Sequence, residues 1–468
     1  MEWSKIDQFS MKQPNILFLM SDQHTSRLMG CAGASFVRTP NMDRLAAEGV
    51  RFSDAYCAHP HCVPSRASMM TGLQTHKIPC FSHPAPFPSE LPTWAHLLRH
   101  AGYHMSLNGK MHFVGEDQLH GFHEHLNEHK EEIGGFRWGQ ENPDPTTGRR
   151  YWIDLHFEGD RMHEKRMSEE LSVKRDAIAY LKNAPKDRPW CHVASFAGPH
   201  YPQIMTREMF ESYNDVAIPE PRSGLEGLHP RHQHWAKCWG FDRLSAEDNR
   251  IGRQAYLAMI TQVDAWLGEI LKALEQSGQA ENTIIVYTAD HGEMWAEHGL
   301  WGKQVFFEDS APVPLIISAP ALGFRQGEVV KTPVSLLDLY PTFRDWSGVG
   351  AWDVPLDGRS LAGVVSKGEE LADAPVFCEY DGCDTKGPER MVRYRNLKLN
   401  YYHHQGMELF DLAKDPLEMK NVADDPAYRS ERDTLWTMLT DGWDPDEMDR
   451  RVRIDQERRC LVEESMQK

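Results

Sequence analysis

The chain has 468 residues, long enough to bury a substantial core; about 150 residues per domain gives about three domains as a loose expectation. Hydrophobic residues make up 40%, charged residues 26% and aromatics 10%, which excludes a wholly disordered or fibrous chain. With 51 Lys and Arg against 69 Asp and Glu the net charge is −18; that argues against a nucleic-acid binder, which needs a basic face, yet leaves room for a local cationic pocket around an anionic substrate.

No apolar run approaches the ~20 residues of a membrane span. Met1 to Pro14 mixes Glu2, Lys5, Asp7 and Lys12 with few apolar residues, so no secretory signal is expected. Nine cysteines, an odd number in a long chain, do not read as a disulfide framework. They predict a reduced, cytoplasmic protein; a periplasmic or secreted one would require a leader since removed.

In chain order, Asn15–Met20 is a continuous apolar run, as for a strand buried on both faces. Asn41–Gly49 and Leu91–Ala101 read as helices and Tyr103–Leu107 as a strand. Gly115 to Gly159 has weak periodicity and many His, Gly and Pro residues, the pattern of a long lid or binding loop. Trp190–Phe196 is a strand ended by Gly198-Pro199. Ser245–Gln276 is the clearest helix, opened by a capping box of Ser245 with Asp248 and carrying Leu257, Ile260, Val263, Leu267, Ile270, Leu271 and Leu274 at helical spacing. Thr283–Tyr287 and Val313–Ile317 follow as strands.

This alternation predicts an α/β fold, a large mostly parallel sheet sandwiched by helices. A polar linker near Ser366–Pro375 divides the chain into a catalytic α/β domain, residues 1–370, and a small α+β domain, residues 371–468. In the second, Met391–Tyr402 and Glu408–Asp411 read as strands, and the charged tail from Asp444 as a solvated helix.

Ligands of open α/β sheets bind beyond the carboxyl ends of the strands. Asp22 and Gln23 follow the first strand, Lys110 and His112 the Tyr103 strand, His200 the Trp190 strand, and Asp290 and His291 the Thr283 strand. Asp22, Gln23, Asp290 and His291 suit one divalent cation. Their oxygens fit Ca²⁺, Mg²⁺ or Mn²⁺, and the imidazole leans toward Mn²⁺. Singly, Asp22 or Asp290 could merely cap a turn.

The segment Cys57-Ala-His59-Pro-His61-Cys62-Val-Pro64-Ser65-Arg66 admits two readings. A zinc site of Cys57, His59, His61 and Cys62 has poor ligand spacing. Alternatively Cys62 opens a helix, with Pro64 in its first turn and an anion held by the exposed N–H groups beside Arg66.

Cys62-Val-Pro64-Ser65-Arg66 resembles the Cys-x-Pro-Ser-Arg maturation motif of type I sulfatases, of the alkaline phosphatase superfamily. Gly109-Lys-Met-His112, Pro199-His200, Asp290-His-Gly292 and Lys303 resemble further family positions in the family order, and Leu409–Glu418 resembles the family's C-terminal domain. The stretch from Gly109 to Phe122 is most similar to choline sulfatases, and Asp290–Lys303 also resembles iduronate-type sulfatases.

The resemblance implies a sulfuric ester hydrolase acting on a choline-sulfate-like or sugar sulfate monoester. A separate maturation enzyme would oxidise Cys62 to formylglycine, whose hydrate attacks sulfur with one hydroxyl and expels sulfate with the other. The metal, held by Asp22, Gln23, Asp290, His291 and the matured Cys62, is expected to be Ca²⁺, with Mn²⁺ or Mg²⁺ as alternatives. Arg66, Lys110 and Lys303 would neutralise the sulfuryl group. Lys303 and His200 would serve the leaving oxygen, and His112 would be the base that collapses the hemiacetal. Gln23 and His291, where many sulfatases have Asp and Asn, also resemble phosphonate monoester hydrolases, so phosphonate or phosphodiester hydrolysis is the alternative activity.

Trp138 and Trp152 could cage an ammonium group by cation–π contact, or anchor a long loop by packing. His120, His123, His125 and His129 read as a polar loop surface, and Cys57 as a small core residue. No membrane partner is expected; a homo-oligomer is an option common to soluble enzymes.

Overall fold

The structure is a computed structural model and describes residues 13–127, 152–350, 352–382 and 385–466. Strands appear in chain order as β1 (Asn15–Ser21), β2 (Gly49–Tyr56), β3 (His104–Gly109), β4 (Glu124–Leu126), β5 (Leu155–His156), β6 (Trp190–Ser195), β7 (Gln203–Ile204), β8 (Thr283–Ala289), β9 (Pro312–Ser318), β10 (Glu328–Val330) and β11 (Val334–Ser335). The main sheet runs β10-β2-β9-β8-β1-β6-β3-β4, with β11 also on β2, and β5 pairs only with β7.

Every pairing in that sheet is parallel except those of β9, which is antiparallel to both β2 and β8. The expected mostly parallel sheet is therefore present. The Val313 strand is its one reversed member, placed between two parallel blocks.

β1 shows why the sheet is a sandwich. Its side chains alternate between faces: Ile16, Phe18 and Met20 enter one apolar cluster, Leu17 and Leu19 another on the opposite side. The first cluster is closed by the helices Trp94–His100 and Leu339–Ser347, the second by Arg161–Asn183 and Ala246–Gln276. The long helix begins at the anticipated capping box: Asp248 N donates to the Ser245 side chain and Ser245 N to Asp248 Oδ2.

Four antiparallel strands follow: β12 (Val376–Tyr380), β13 (Glu389–Tyr394), β14 (Leu397–Tyr402) and β15 (Gly406–Asp411). The expected single strand Met391–Tyr402 is two strands, because Arg395 takes a left-handed conformation (φ 54°) and reverses the chain. The C-terminal helix Pro445–Met466 is not simply solvated. Met448 and Val452 pack with the small sheet, and Arg459 donates to Ser82 Oγ at 2.7 Å.

Among the elements that carried no expectation are β2 and the helix Arg161–Asn183. β2 reads as polar in sequence, and the helix Arg161–Asn183 follows directly on the loop-like stretch. Its signals are an Asp160 N-cap, whose Oδ1 accepts from Met162 N at 2.7 Å, and Val173, Ala177 and Leu181 at four-residue spacing. His120 is not loop surface: it is fully buried, stacked on Phe87 at 4.1 Å. His123 is exposed and His125 half-buried; His129 lies outside the described residues. No described helix is long and apolar enough to cross a membrane.

Candidate active site

The parallel pairings bring four strand ends to one edge. Ser21 of β1 lies beside Ala289 of β8, and Gly109 of β3 beside Ser195 of β6. Asp22, Asp290, Lys110 and the Ala197–His200 turn therefore start from neighbouring points. Gly109 makes the close approach possible: it has φ +86°, and a Cβ there would lie 2.2 Å from the Ser195 carbonyl oxygen.

Cys62 opens the helix Cys62–Thr71, with Pro64 in the first turn and Gly72 as its left-handed C-cap. Ser65 Oγ donates to the Asp290 carbonyl at 2.6 Å, which ties this helix to the end of β8. Cys62 Sγ lies 3.2 Å from His291 Nε2 and 3.8 Å from Asp22 Oδ1, and Lys303 Nζ donates to it at 3.1 Å.

Asp22, Cys62, Asp290 and His291 are all buried, and their ligating atoms lie within 4.8 Å of one another. Gln23, next to Asp22 and itself left-handed (φ 65°), donates its backbone N–H to Asp290 Oδ1 at 3.1 Å. Its side-chain Oε1 is buried with no hydrogen-bond partner. Two clustered carboxylates and an imidazole, with a buried amide oxygen on the residue that follows Asp22, make a donor set suited to a hard divalent cation. The residues fit the group the resemblance implies.

Arg66 is only 1% exposed and is committed below the cluster. Its Nε donates to Asp290 Oδ2 at 2.8 Å and its Nη2 to Asp22 Oδ2 at 3.0 Å. Arg66, expected to neutralise a sulfuryl group, is placed as a clamp on two carboxylates. Lys110 Nζ reaches Asp22 Oδ2 at 2.6 Å from the cavity side. Burial alone would raise the Asp22 carboxyl, but Lys110, His200, Arg66 and Lys303 hold it well below the usual range. Burial, reinforced by Asp22, pushes the Cys62 thiol up to about 11, so the unmodified thiol is protonated at neutral pH. Burial pulls the His291 imidazole down to about 4, leaving it neutral and able to ligate.

A cavity of about 330 Å³ opens over Cys62, lined by Lys110, His112, His200 and Lys303 among the expected residues. It is also lined by His61, a candidate only in the zinc reading, and by His83, Tyr201, Lys165, Arg166 and Glu169, which sequence reasoning missed. His83 packs edge-on against His112 at 4.6 Å. His200 Nδ1 meets the Tyr201 carbonyl oxygen at 2.5 Å; a carbonyl only accepts, so Nδ1 carries the proton. Burial and then Lys303 hold this imidazole well below its ordinary value, hence neutral.

Trp152 does not line the cavity. It is 2% exposed and packs 3.8 Å behind Tyr201 and 5.2 Å from Trp239, the anchoring role rather than the cage. Trp138 lies outside the described residues. Cys57 and His59 do not join the Cys62 cluster; Cys57 sits in the core, 4.0 Å from Cys378 Sγ.

The Sulfatase family model matches residues 14–349, most of the chain. The chain belongs to the sulfatase family. A second model, N-sulphoglucosamine sulphohydrolase, C-terminal, matches residues 296–443. This sulfatase is 34% identical to a choline-sulfatase of Rhizobium meliloti, over 97% of this chain and 91% of the relative. It is 28% identical to an N-acetylglucosamine-6-O-sulfatase of Bacteroides thetaiotaomicron, over 92% and 86%. A structure solved with its substrate D-glucosamine-2-N,6-O-disulfate superposes with a TM-score of 0.73 at 25% identity, covering 93% of this chain and all of the other. The phosphonate monoester hydrolase of Silicibacter pomeroyi superposes with a TM-score of 0.72 at 26% identity, covering 91% and 94%. Family and relatives make this protein a sulfuric ester hydrolase of alkaline phosphatase-like fold.

Proposed function

We propose that this sulfatase cleaves a small sulfate monoester, using a formylglycine made from Cys62 by a separate maturation enzyme and one divalent cation, Ca²⁺ or Mn²⁺. The observation that carries this is the approach of Cys62 Sγ to His291, Asp22 and Lys303 at the floor of the cavity. A thiol protonated up to about pH 11 is a poor nucleophile. Formylglycine would supply, through its hydrate, a hydroxyl to attack sulfur and a second to release sulfate. Asp22, Gln23, Asp290 and His291 would hold the cation, which lowers the charge on sulfate oxygens and the attacking hydroxyl.

The remaining roles follow from the contacts. Arg66 fixes Asp22 and Asp290 and balances their charge. Lys110, on the cavity side of Asp22, orients the sulfuryl group. Lys303, beside the nucleophile position, is the better donor to the leaving oxygen, because neutral His200 has its proton on Nδ1, engaged by a carbonyl. His112, in the cavity wall, serves as the base for release of sulfate.

For the alcohol part, the described lining offers Lys165 and Arg166 against one carboxylate, Glu169, with Tyr201 the main aromatic face. This balance favours a hydroxylated, sugar-like alcohol over a quaternary ammonium. The odd cysteine count in a long chain favours a cytoplasmic setting.

The test is peptide mass spectrometry across Cys62 in protein co-produced with a maturation enzyme, followed by turnover on matched esters. An aldehyde at residue 62, with sulfated sugars turned over faster than choline sulfate or a phosphonate ester, supports the reading. A retained thiol, while a control sulfatase is converted in the same cells, overturns it. Preferential phosphonate turnover would move the protein to the alternative activity.

A further inference from the structure

Glu293 stands next to the Asp22, Cys62, Asp290 and His291 cluster in sequence without belonging to it. It is 2% exposed, two residues beyond His291, and its two oxygens face different parts of the site. Oε1 accepts from the backbone of Trp295 at 3.0 Å and of Gly302 at 2.5 Å. Oε2 accepts from Gln23 Nε2. Met294 N donates to the Gly302 carbonyl at 2.7 Å, closing the same loop. The next residue, Lys303, brings its ammonium within 3.1 Å of Cys62 Sγ.

A primary amide has one ligating end. The oxygen carries available lone pairs, and the NH₂ group only donates. Rotating the Gln23 amide by half a turn would present NH₂ where a cation needs oxygen. A carboxylate accepts and never donates, so Glu293 can pair only with the NH₂ end. The Gln23 oxygen is accordingly the end left buried and without a hydrogen bond.

We propose that Glu293 is a positioning residue that fixes the Gln23 amide with its oxygen toward the cation and, through its other oxygen, sets the loop that delivers Lys303. One side chain thereby couples cation binding to placement of the leaving-group donor. The inference rests on the cation reading above and adds the device that orients one ligand.

Glu293→Gln separates these functions at constant size. If its own oxygen stays on the two loop N–H groups, its NH₂ faces Gln23 and turns that amide round. If it faces Gln23 with oxygen, its NH₂ opposes the loop donors. The experiment titrates Ca²⁺ and Mn²⁺ by calorimetry into metal-free wild type, E293Q, Q23A, Q23A/E293Q and the swapped pair Q23E/E293Q. Side chains that hydrogen-bond to metal ligands affect affinity by about 10–100-fold, and E293Q should lose affinity within that span. In the Q23A background the same substitution should cost almost nothing, and the swapped pair should recover most of the loss. At saturating cation E293Q should retain a lowered kcat with little change in KM, the mark of a displaced Lys303.

Unchanged affinity in E293Q, or losses that add in the double variant with Q23A, overturns the proposal. If E293Q does not fold, the swapped pair decides: recovered folding and cation binding support the pairing, and failure to recover overturns it. Wild type that binds neither cation removes the cation reading together with this inference. Wild type that binds while E293Q is unaffected removes the inference alone.

Discussion

Arg66→Ala tests the electrostatic design of the site most directly. The guanidinium is the shared partner of Asp22 and Asp290, with all three groups at 1% exposure or less. Removing it leaves Asp290 without its cation and takes from Asp22 one of its two direct ion pairs to Arg or Lys among the described residues, that with Lys110 remaining. Breaking a buried pair by deleting one partner costs about 3–5 kcal/mol. At about 2–4 °C per kcal/mol for domains somewhat smaller than this chain, the lower part of that span gives roughly 6–10 °C in metal-free melting temperature.

A divalent cation should narrow this gap, because it replaces the missing positive charge. A cation at about 100 times its Kd stabilises a folded protein by about 2.7 kcal/mol, and the variant should bind it more tightly than wild type. The assay is thermal melting of both proteins in chelator, then across a Ca²⁺ or Mn²⁺ series. Acid should narrow the gap as well. The folded Asp22 carboxyl is held below its unfolded value, so its contribution is complete above about pH 4, the unfolded range, and is lost as pH falls through the folded value. Wild type loses that contribution on acidification; the variant, in which Lys110, His200 and Lys303 still act on Asp22, has less of it to lose, and the two curves should draw closer. A variant melting within a degree of wild type in chelator, or a gap that widens with cation, refutes the reasoning.

Replacing Lys303 by Met removes a positive charge that, after burial, holds the His200 imidazole down; its pKa should rise in an NMR titration, and a fall or no change would contradict the placement. The same variant should lose more turnover on alkyl sulfates than on aryl sulfates, since a poor leaving group needs the proton more. Gly302→Ala would place a Cβ 2.3 Å from the Trp152 ring at φ +79°; overpacking of this kind costs about 1–3 kcal/mol, measurable by denaturant unfolding, with a drop in kcat from the adjoining Lys303. Chelation of the native enzyme should lower its melting temperature and abolish sulfate-ester turnover, and added Ca²⁺ or Mn²⁺ should restore both; turnover that survives complete metal removal would exclude the cation from the reaction.

Elements with an unambiguous period were legible in the chain. β1 is a continuous apolar run because both its faces are covered, and the helix after Ser245 carries its own cap and stripe. β2 was not legible, since Arg51, Ser53 and Asp54 interrupt its pattern while Val50, Phe52, Ala55 and Tyr56 face the core. The Arg395 reversal was hidden for a related reason: polar and apolar residues are mixed on both sides of it, so a single left-handed Arg does not stand out from the pattern of one strand.

The sequence alone determined which chemical groups this protein can bring to bear. Cys62 at a helix start, the carboxylates after β1 and β8, and Lys110 and His112 after β3 follow from local order, since each group sits just past the strand or at the helix end that presents it. The tertiary structure decided what those groups do to one another. That Arg66 clamps two carboxylates, that Trp152 backs Tyr201, and that Glu293 joins Gln23 to the Lys303 loop all depend on pairings across 9 to 270 residues of chain. Local periodicity records how an element covers a core; a hydrogen bond between distant side chains leaves no period to read.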